Sequence, residues 1–290
     1  MFNIPFVFRG GFNSNNPAPI YGTAEAILWV DSQQYVYSDN GVTPAVYGQD
    51  VKQWNDLTIY HNNVTGATSF IPMFSGSSFS PSGSSATFPY LQFNELHQDS
   101  LDAPKSNSLM TMTSGFTLFF VMRKNNTGAW SPGPNPIVEW NDSWSTPTEG
   151  FGVDGNSSPT TLDCWYYSNA AEQITISIPW GSGGINASNY YYYTVRMSAD
   201  TSASTGTCIF NGYAGSTLKD TVTNTTGNTY MKKPTTSTAK FSIASGYQSG
   251  SRVQTSEIDV AEVILYNGAL SDAQLTSVWN YFKTKYGFTT

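Results

Sequence analysis

Residues 257–288 read EIDVAEVILYNGALSDAQLTSVWNYFKTKYGF, and they hold a strand, a turn and a helix in legible order. Glu257 to Tyr266 is rich in β-branched residues and has the length of a strand. Asn267 and Gly268 turn the chain. Ser271 with Gln274 three residues on forms a capping-box pattern. Leu275, Val278, Trp279, Phe282 and Tyr286 then recur with helical period on one face. Lys283 and Lys285 occupy the last turn, and Gly287 is placed to end the helix.

Working outward, further short segments repeat the strand signature. Ala24 to Val30 and Phe88 to Phe93 alternate, with Tyr90 and Gln92 on the face opposite Leu91 and Phe93. Phe116 to Met122 has the density of a strand buried on both faces or within the sandwich. Phe151 to Val153, Leu162 to Tyr167, Ile174 to Ile178, Tyr190 to Met197, Thr207 to Phe210 and Phe241 to Ala244 supply more. Turns of Gly, Asn and Ser separate them, the spacing of a two-sheet antiparallel sandwich. Alternation puts two rings of Tyr190 to Tyr193 on each face, so half of them are expected to face solvent. Gln33 to Gly48, Lys52 to Thr65, Ser75 to Ser85 and Thr221 to Asn228 read as polar connections, with Trp54 packed and Asp56 making turn contacts.

The C-terminal stretch resembles the end of laminin-G-like, concanavalin A-type lectin/glucanase domains, in which an "AEV-hydrophobic-hydrophobic-Tyr" strand leads through "ALSDA" to a helix ending in "KYG". Ala261 to Tyr266, Ala269 to Ala273 and Lys285 to Gly287 carry that likeness. Leu28, Trp29 and Asp31 resemble the family's opening "LW-x-D", Val51 to Asp56 its "V-x-QWND" and Leu91 to Asn94 its "LxFD". Tyr193 to Asn211 resembles a hairpin further on. The resemblance implies an all-β jelly-roll sandwich with a short C-terminal helix over residues 20–290. Calcium is common in such domains, but no loop here has a ligand spacing that assigns one.

Charged residues make up 11% of the 290 and aromatic residues 15%, so solubility rests on hydroxyls and amides and rings are plentiful. A net charge of −7 with 13 scattered Lys and Arg argues against nucleic acid and against an anionic membrane surface. No apolar run approaches the roughly 20 residues of a membrane helix. Cys164 and Cys208 read as two buried thiols or as one disulfide, and neither has metal-site spacing.

Residues 1–19 read as an arm and linker. Phe2, Ile4, Phe6 and Phe8 alternate along it before Gly10 and Gly11, which suits insertion into a groove or addition to a sheet edge on another protein. The alternative is an edge strand on its own domain. The arm resembles the attachment peptides of phage virion appendages. Its apolar run is too broken for a secretory signal. A virion component, assembled in the host cytoplasm and released by lysis, reconciles that with an extracellular-type composition; export without such a signal, or prior removal of one, also fits. Other virion proteins are then the expected partners of the arm, and self-association of the chain is a further one.

Three readings of function compete: a glycan-binding module, a purely structural virion protein without a ligand, which exposure of Trp130 and Trp144 would argue against, and a glycoside hydrolase. Trp130, Asn141, Asp142 and Trp144 lie in a loop region of Asn, Pro and Gly, where indoles suit the apolar faces of sugar rings and amides suit their hydroxyls; surface glycans are the expected ligand. Tryptophans that cap the ends of the sandwich would look the same. Glu257, Asp259 and Glu262 spell E-x-D-x-x-E, as in retaining glucanases of this fold, which need carboxylates about 5 Å apart. A bulge near Val260 and Ala261 would bring all three to one face. Against catalysis, the motif lies too near the C-terminus, and Glu262 already belongs to the "AEV" pattern. His61 and His97 have no triad partners, so the expectation is a non-enzymatic module.

Overall fold

In the computed structural model the described residues are 25–66, 69–79, 88–104, 115–124, 135–141, 149–155, 161–167, 173–179, 190–199, 207–224, 231, 234, 239–248 and 251–288. The chain begins with β1 (Glu25–Asp31), β2 (Val36–Tyr37), β3 (Gln53–Trp54), β4 (Val64–Thr65) and β5 (Met73–Phe79). Next come β6 (Phe88–Phe93), β7 (Leu101–Pro104), β8 (Gly115–Lys124), β9 (Asn135–Asn141) and β10 (Phe151–Gly155). Then follow β11 (Thr161–Tyr167), β12 (Gln173–Pro179), β13 (Tyr191–Ala199), β14 (Cys208–Ala214) and β15 (Thr217–Asn224). It closes with β16 (Lys240–Ile243), β17 (Ser245–Gln248), β18 (Ser251–Thr255), β19 (Ile258–Asn267) and α1 (Asp272–Tyr286).

One sheet of eight strands runs β15-β14-β13-β8-β19-β6-β5, with β1 also on β19. β6 takes Ile258 to Val260 of β19 and β1 takes Glu262 to Asn267. The second sheet has nine strands, β12-β11-β10-β9-β16-β7-β4-β3-β2. Leu118, Phe120 and Met122 of the first sheet meet Val138, Trp140, Phe151 and Val153 of the second in a shared apolar core, where the Phe116 and Phe151 rings stack with centroids 4.2 Å apart. Removing these side chains from water is the main force holding the two layers together.

The outer face of the eight-stranded sheet is also buried, because α1 lies on it. Ser271 and Gln274 form the expected capping box, and Gly287 ends the helix at φ 74°. Leu275, Val278, Phe282 and Tyr286 pack on Phe119, Val121, Tyr190, Tyr192 and Ile264. That coverage explains the density of β8, which needs apolar residues on both faces. It also corrects the expectation for the tyrosine run. Tyr190 and Tyr192 point outward as alternation requires, yet both are buried, since Phe282 and Phe288 cover Tyr192.

Trp54 packs in the core and Asp56 organises its turn, accepting from the Trp29, Thr58 and Asn62 backbone N–H groups. Cys164 and Cys208 are free, buried thiols. All four polar connections hold more strand than their composition suggests. β2, β3 and β4 form inside the first two, β5 runs into Ser75 to Ser85 as far as Phe79, and β15 takes up Thr221 to Asn224. β2, β3 and β4 each turn one residue of a cross-strand trio, Val36, Trp54 and Val64, into the core, and β15 pairs through backbone groups with β14.

Candidate functional site

The E-x-D-x-x-E carboxylates were the sharpest catalytic candidate. The register of β19 against β8 does shift between Val260 and Glu262, so the expected bulge is present. The residues it gathers are nonetheless committed to structure. Asp259 is buried and accepts from Arg123 Nε at 2.6 Å and from the Tyr190 hydroxyl at 3.1 Å. Glu262 is 0% exposed beneath α1 and accepts from Trp29 Nε1 at 2.7 Å, Tyr281 at 2.9 Å, Tyr286 at 2.6 Å and Lys285 Nζ at 2.7 Å. Four donors on two oxygens leave no lone pair aimed at a substrate, although burial pushes the Glu262 pKa up against the pull of Lys285. Glu257 is only partly exposed, at the start of the strand. The glucanase arrangement, an open groove with two free carboxylates, is therefore not formed by Glu257, Asp259 and Glu262.

The outer face of the nine-stranded sheet differs in character. Cross-strand partners share a face, and the register aligns Tyr37, Gln53, Thr65, Asp102, Ser242, Glu139, Gly152, Trp165 and Thr175 in one transverse row. Nearly every member is polar or aromatic, while the residues between them along each strand point into the core. The middle of the row is buried. There, Asn141 Nδ2 donates to Glu139 Oε2 at 3.0 Å, and Trp165 Nε1 donates to Asp154 Oδ2 at 2.7 Å. The Trp165 ring lies so close over Gly152 that a Cβ there would sit 2.4 Å from Cζ2. The Glu139 and Asp154 carboxyls lie close enough to act on each other's ionisation. Burial and the adjacent Asp154 carboxylate push the Glu139 pKa well above the usual range, and burial raises that of Asp154 to about 6.

The β2 end of the row is open. Tyr35 is 57% exposed, Tyr37 and Gln53 are partly exposed, and Gln53 Nε2 donates to Asn55 Oδ1 at 2.6 Å. Tyr35 sits at φ 53°, a left-handed conformation uncommon for a bulky residue, and its carbonyl accepts the Asn55 N–H at 3.0 Å. Tyr47, Tyr60 and Phe70 are also exposed on the connections around these short strands. Elsewhere among the described residues, Trp29, Trp54, Trp140 and Trp165 are buried.

Of the four loop candidates, Trp130, Asp142 and Trp144 lie outside the described residues, as do Phe2, Ile4, Phe6 and Phe8 of the arm. Asn141 is described, and its side chain is buried against Glu139 rather than presented at the surface. The sequence reading passed over Glu139, Asp154 and Trp165. The available signal was a lone carboxylate inside the apolar run Ile137 to Trp140, an oddity that a buried strand does not tolerate without a partner. Among the described residues no three His, Cys, Asp or Glu side chains gather as a metal cluster, and no helix is long and apolar enough to cross a membrane.

Neither a protein-family model nor a curated protein matches the chain at the sequence level. Solved structures do match in fold. The binding domain of Paraclostridial Mosquitocidal Protein 1 aligns with a TM-score of 0.54 and 11% identity, over 89% of this chain and 52% of that one. Botulinum neurotoxin type C, described as interacting with two ganglioside molecules, aligns at 0.53 and 12%, over 88% and 50%. Trypanosoma rangeli sialidase in complex with sialic acid aligns at 0.51 and 16%, over 91% and 34%. This chain thus spans about half the length of the toxin structures it matches. At these identities the likeness is one of fold: a two-sheet β-sandwich shared with toxin binding domains.

Proposed function

We propose that this chain is a non-enzymatic, lectin-like module that takes carbohydrate at the open end of its nine-stranded sheet. The observation that carries the reading is the exposed Tyr35 ring just before β2, with Tyr37 on that strand and the Gln53 and Asn55 amides on and just after the paired β3. A phenol ring covers the apolar C–H face of a sugar, and amides bond its hydroxyls. The backbone strain at Tyr35 is the kind that persists where a ring is held for a purpose. The toxin structures that share the fold lend support, since botulinum neurotoxin type C interacts with gangliosides. The reading includes a virion location, with Phe2, Ile4, Phe6 and Phe8 anchoring the module to other particle proteins and cell-surface glycans as its target. The support for that part is the alternating N-terminal sequence.

The test is a glycan array of bacterial surface polysaccharides and sialylated oligosaccharides, probed with the full chain and with Tyr35→Asn. Asparagine tolerates the left-handed backbone, so the variant removes the ring and keeps the fold. Binding at least about tenfold weaker is expected, from the roughly 1.4 kcal/mol that one stacked ring contributes. No glycan bound by the full chain, or undiminished binding by Tyr35→Asn, would sink the proposal. The arm is tested separately, by asking whether a chain lacking residues 1–16 still co-assembles with particles.

A further inference from the structure

Lys285 of α1 is the meeting point of three buried groups. Its Nζ lies 2.7 Å from Asp31 Oδ2 on β1 and 2.7 Å from Glu262 Oε2 on β19. Both carboxyls are buried, and the lysine side chain nearly so. Trp29, Tyr281 and Tyr286 wall the cluster, with the two tyrosine ring centroids 5.4 Å and 4.8 Å from the ammonium. An amine held against a carboxyl group in a water-poor site is the pair that condenses to an amide. A second carboxyl on the same nitrogen is the proton carrier that such a condensation needs. The ion pairs Arg123–Asp259, Arg196–Asp272 and Lys240–Asp102 lack that set. The first two offer guanidinium groups, which stay protonated, and Lys240 stands 4.0 Å from Asp102 with its side chain 35% exposed.

We propose that Lys285 and Asp31 condense to an intramolecular amide, with Glu262 as the catalytic proton carrier. The step balances without a co-reactant. Glu262 Oε2 takes a proton from the Lys285 ammonium, and the freed nitrogen lone pair attacks Asp31 Cγ, one bond from the oxygen it already touches. Glu262 returns that proton to the departing Oδ2, a second proton follows from the nitrogen by the same route, and the Cγ–Oδ2 bond breaks to release water. Ammonium and carboxylate become an amide and one water, and Glu262 ends as it began. The Gln33 N–H donates to Asp31 Oδ1 at 3.0 Å and so stabilises the charge which that oxygen gathers in the tetrahedral intermediate. Burial raises the Glu262 pKa, which favours its proton-carrying form. Asp31 and Glu262 together hold Lys285 as ammonium. The free amine is therefore a minor species, the reaction is slow beside folding, and the newly folded chain holds the ion pair. Once closed, the bond ties β1 to α1, the first and last elements, and constrains nearly the whole chain between them. The inference does not depend on the glycan reading.

The intact mass of the full chain is read before and after prolonged warm incubation, and the products are mapped by digestion. A mass lower by one water is expected, with a branched peptide joining the segments that carry Asp31 and Lys285. Glu262→Gln, shown to be folded by circular dichroism, should lose water at least about tenfold more slowly. Lys285→Arg keeps the positive charge and should retain its full sequence mass. A purely structural ion pair moves none of these masses. The condensed chain should also unfold at a higher urea midpoint than the newly folded one. A parent chain that keeps its full sequence mass overturns the proposal, and that measurement needs no variant. Water lost at another pair of residues, or lost at the parent rate by folded Glu262→Gln, overturns it equally.

Discussion

Replacing Lys285 by Met tests how α1 is fastened to the sandwich. The Lys285 ammonium bridges two carboxylates, 2.7 Å from Asp31 Oδ2 on β1 and 2.7 Å from Glu262 Oε2 on β19. Glu262 is fully buried and Asp31 nearly so. Burial alone would push the ammonium toward neutrality, but Asp31 and Glu262 outweigh it and hold its pKa above the usual 10.5. Methionine keeps the aliphatic stem and removes the charge, leaving two buried carboxylates with no cation between them. Breaking a buried pair in this way costs about 3–5 kcal/mol, against ~0–1 for an exposed pair. In a domain of this size that lowers the thermal midpoint by about 10 °C. The assay is urea denaturation of parent, Lys285→Met and Lys285→Met/Glu262→Gln, followed by far-UV circular dichroism and tryptophan fluorescence. The double variant should recover much of the loss, because the orphaned charge is gone. The single variant's deficit should also be smaller at pH 5 than at pH 8, where Glu262 cannot relieve itself by protonation. A deficit under about 1 kcal/mol at pH 8 would refute the reasoning, since the bridge would then behave as a solvated surface pair.

Two further outcomes are expected. Gly152→Ala places a methyl against the Trp165 indole and should cost about 1–3 kcal/mol through overpacking, read as a lower urea midpoint; an unchanged midpoint means the ring is not fixed over the glycine. On the alkaline side, burial raises the pKa values of Tyr190, Tyr281 and Tyr286 above the ordinary 10, and Lys285 is raised as well. The folded chain holds these protons more tightly than the unfolded chain, so their contribution is fully present below about pH 10 and is lost as pH rises through the folded values, by about 1.4 kcal/mol per pH unit for each group. Tyrosine ionisation followed by absorbance should therefore coincide with unfolding above pH 10 for the buried set. Phenolates that all titrate near pH 10 in a chain that stays folded would contradict it.

Local patterns carried much of the fold. The capping box at Ser271 and Gln274, the αL glycine at 287 and the apolar stripe of α1 depend on residues within a turn of one another, so they are readable without tertiary knowledge. The parity of Tyr90 against Leu91 and the turn built by Asp56 are equally local. The burial of Tyr192 and the committed state of Glu262 were not readable, because each depends on which element lies over a strand. The short strands β2, β3, β4 and β15 also escaped notice, being specified by neighbours distant in sequence.

The candidate sites divide the same way. Sequence by itself determined that the chain makes an antiparallel sandwich closed by one helix, because alternation, turn residues and caps act over a few residues. It also offered three carboxylates of identical chemistry along β19. Only the tertiary structure decided that Asp259 and Glu262 are spent on Arg123 and Lys285, and that Glu139 and Asp154 meet on the opposite sheet. The physical reason is that a carboxylate's role is set by the charges and donors within a few ångströms of it, and in a β-sandwich those come from strands tens or hundreds of residues away.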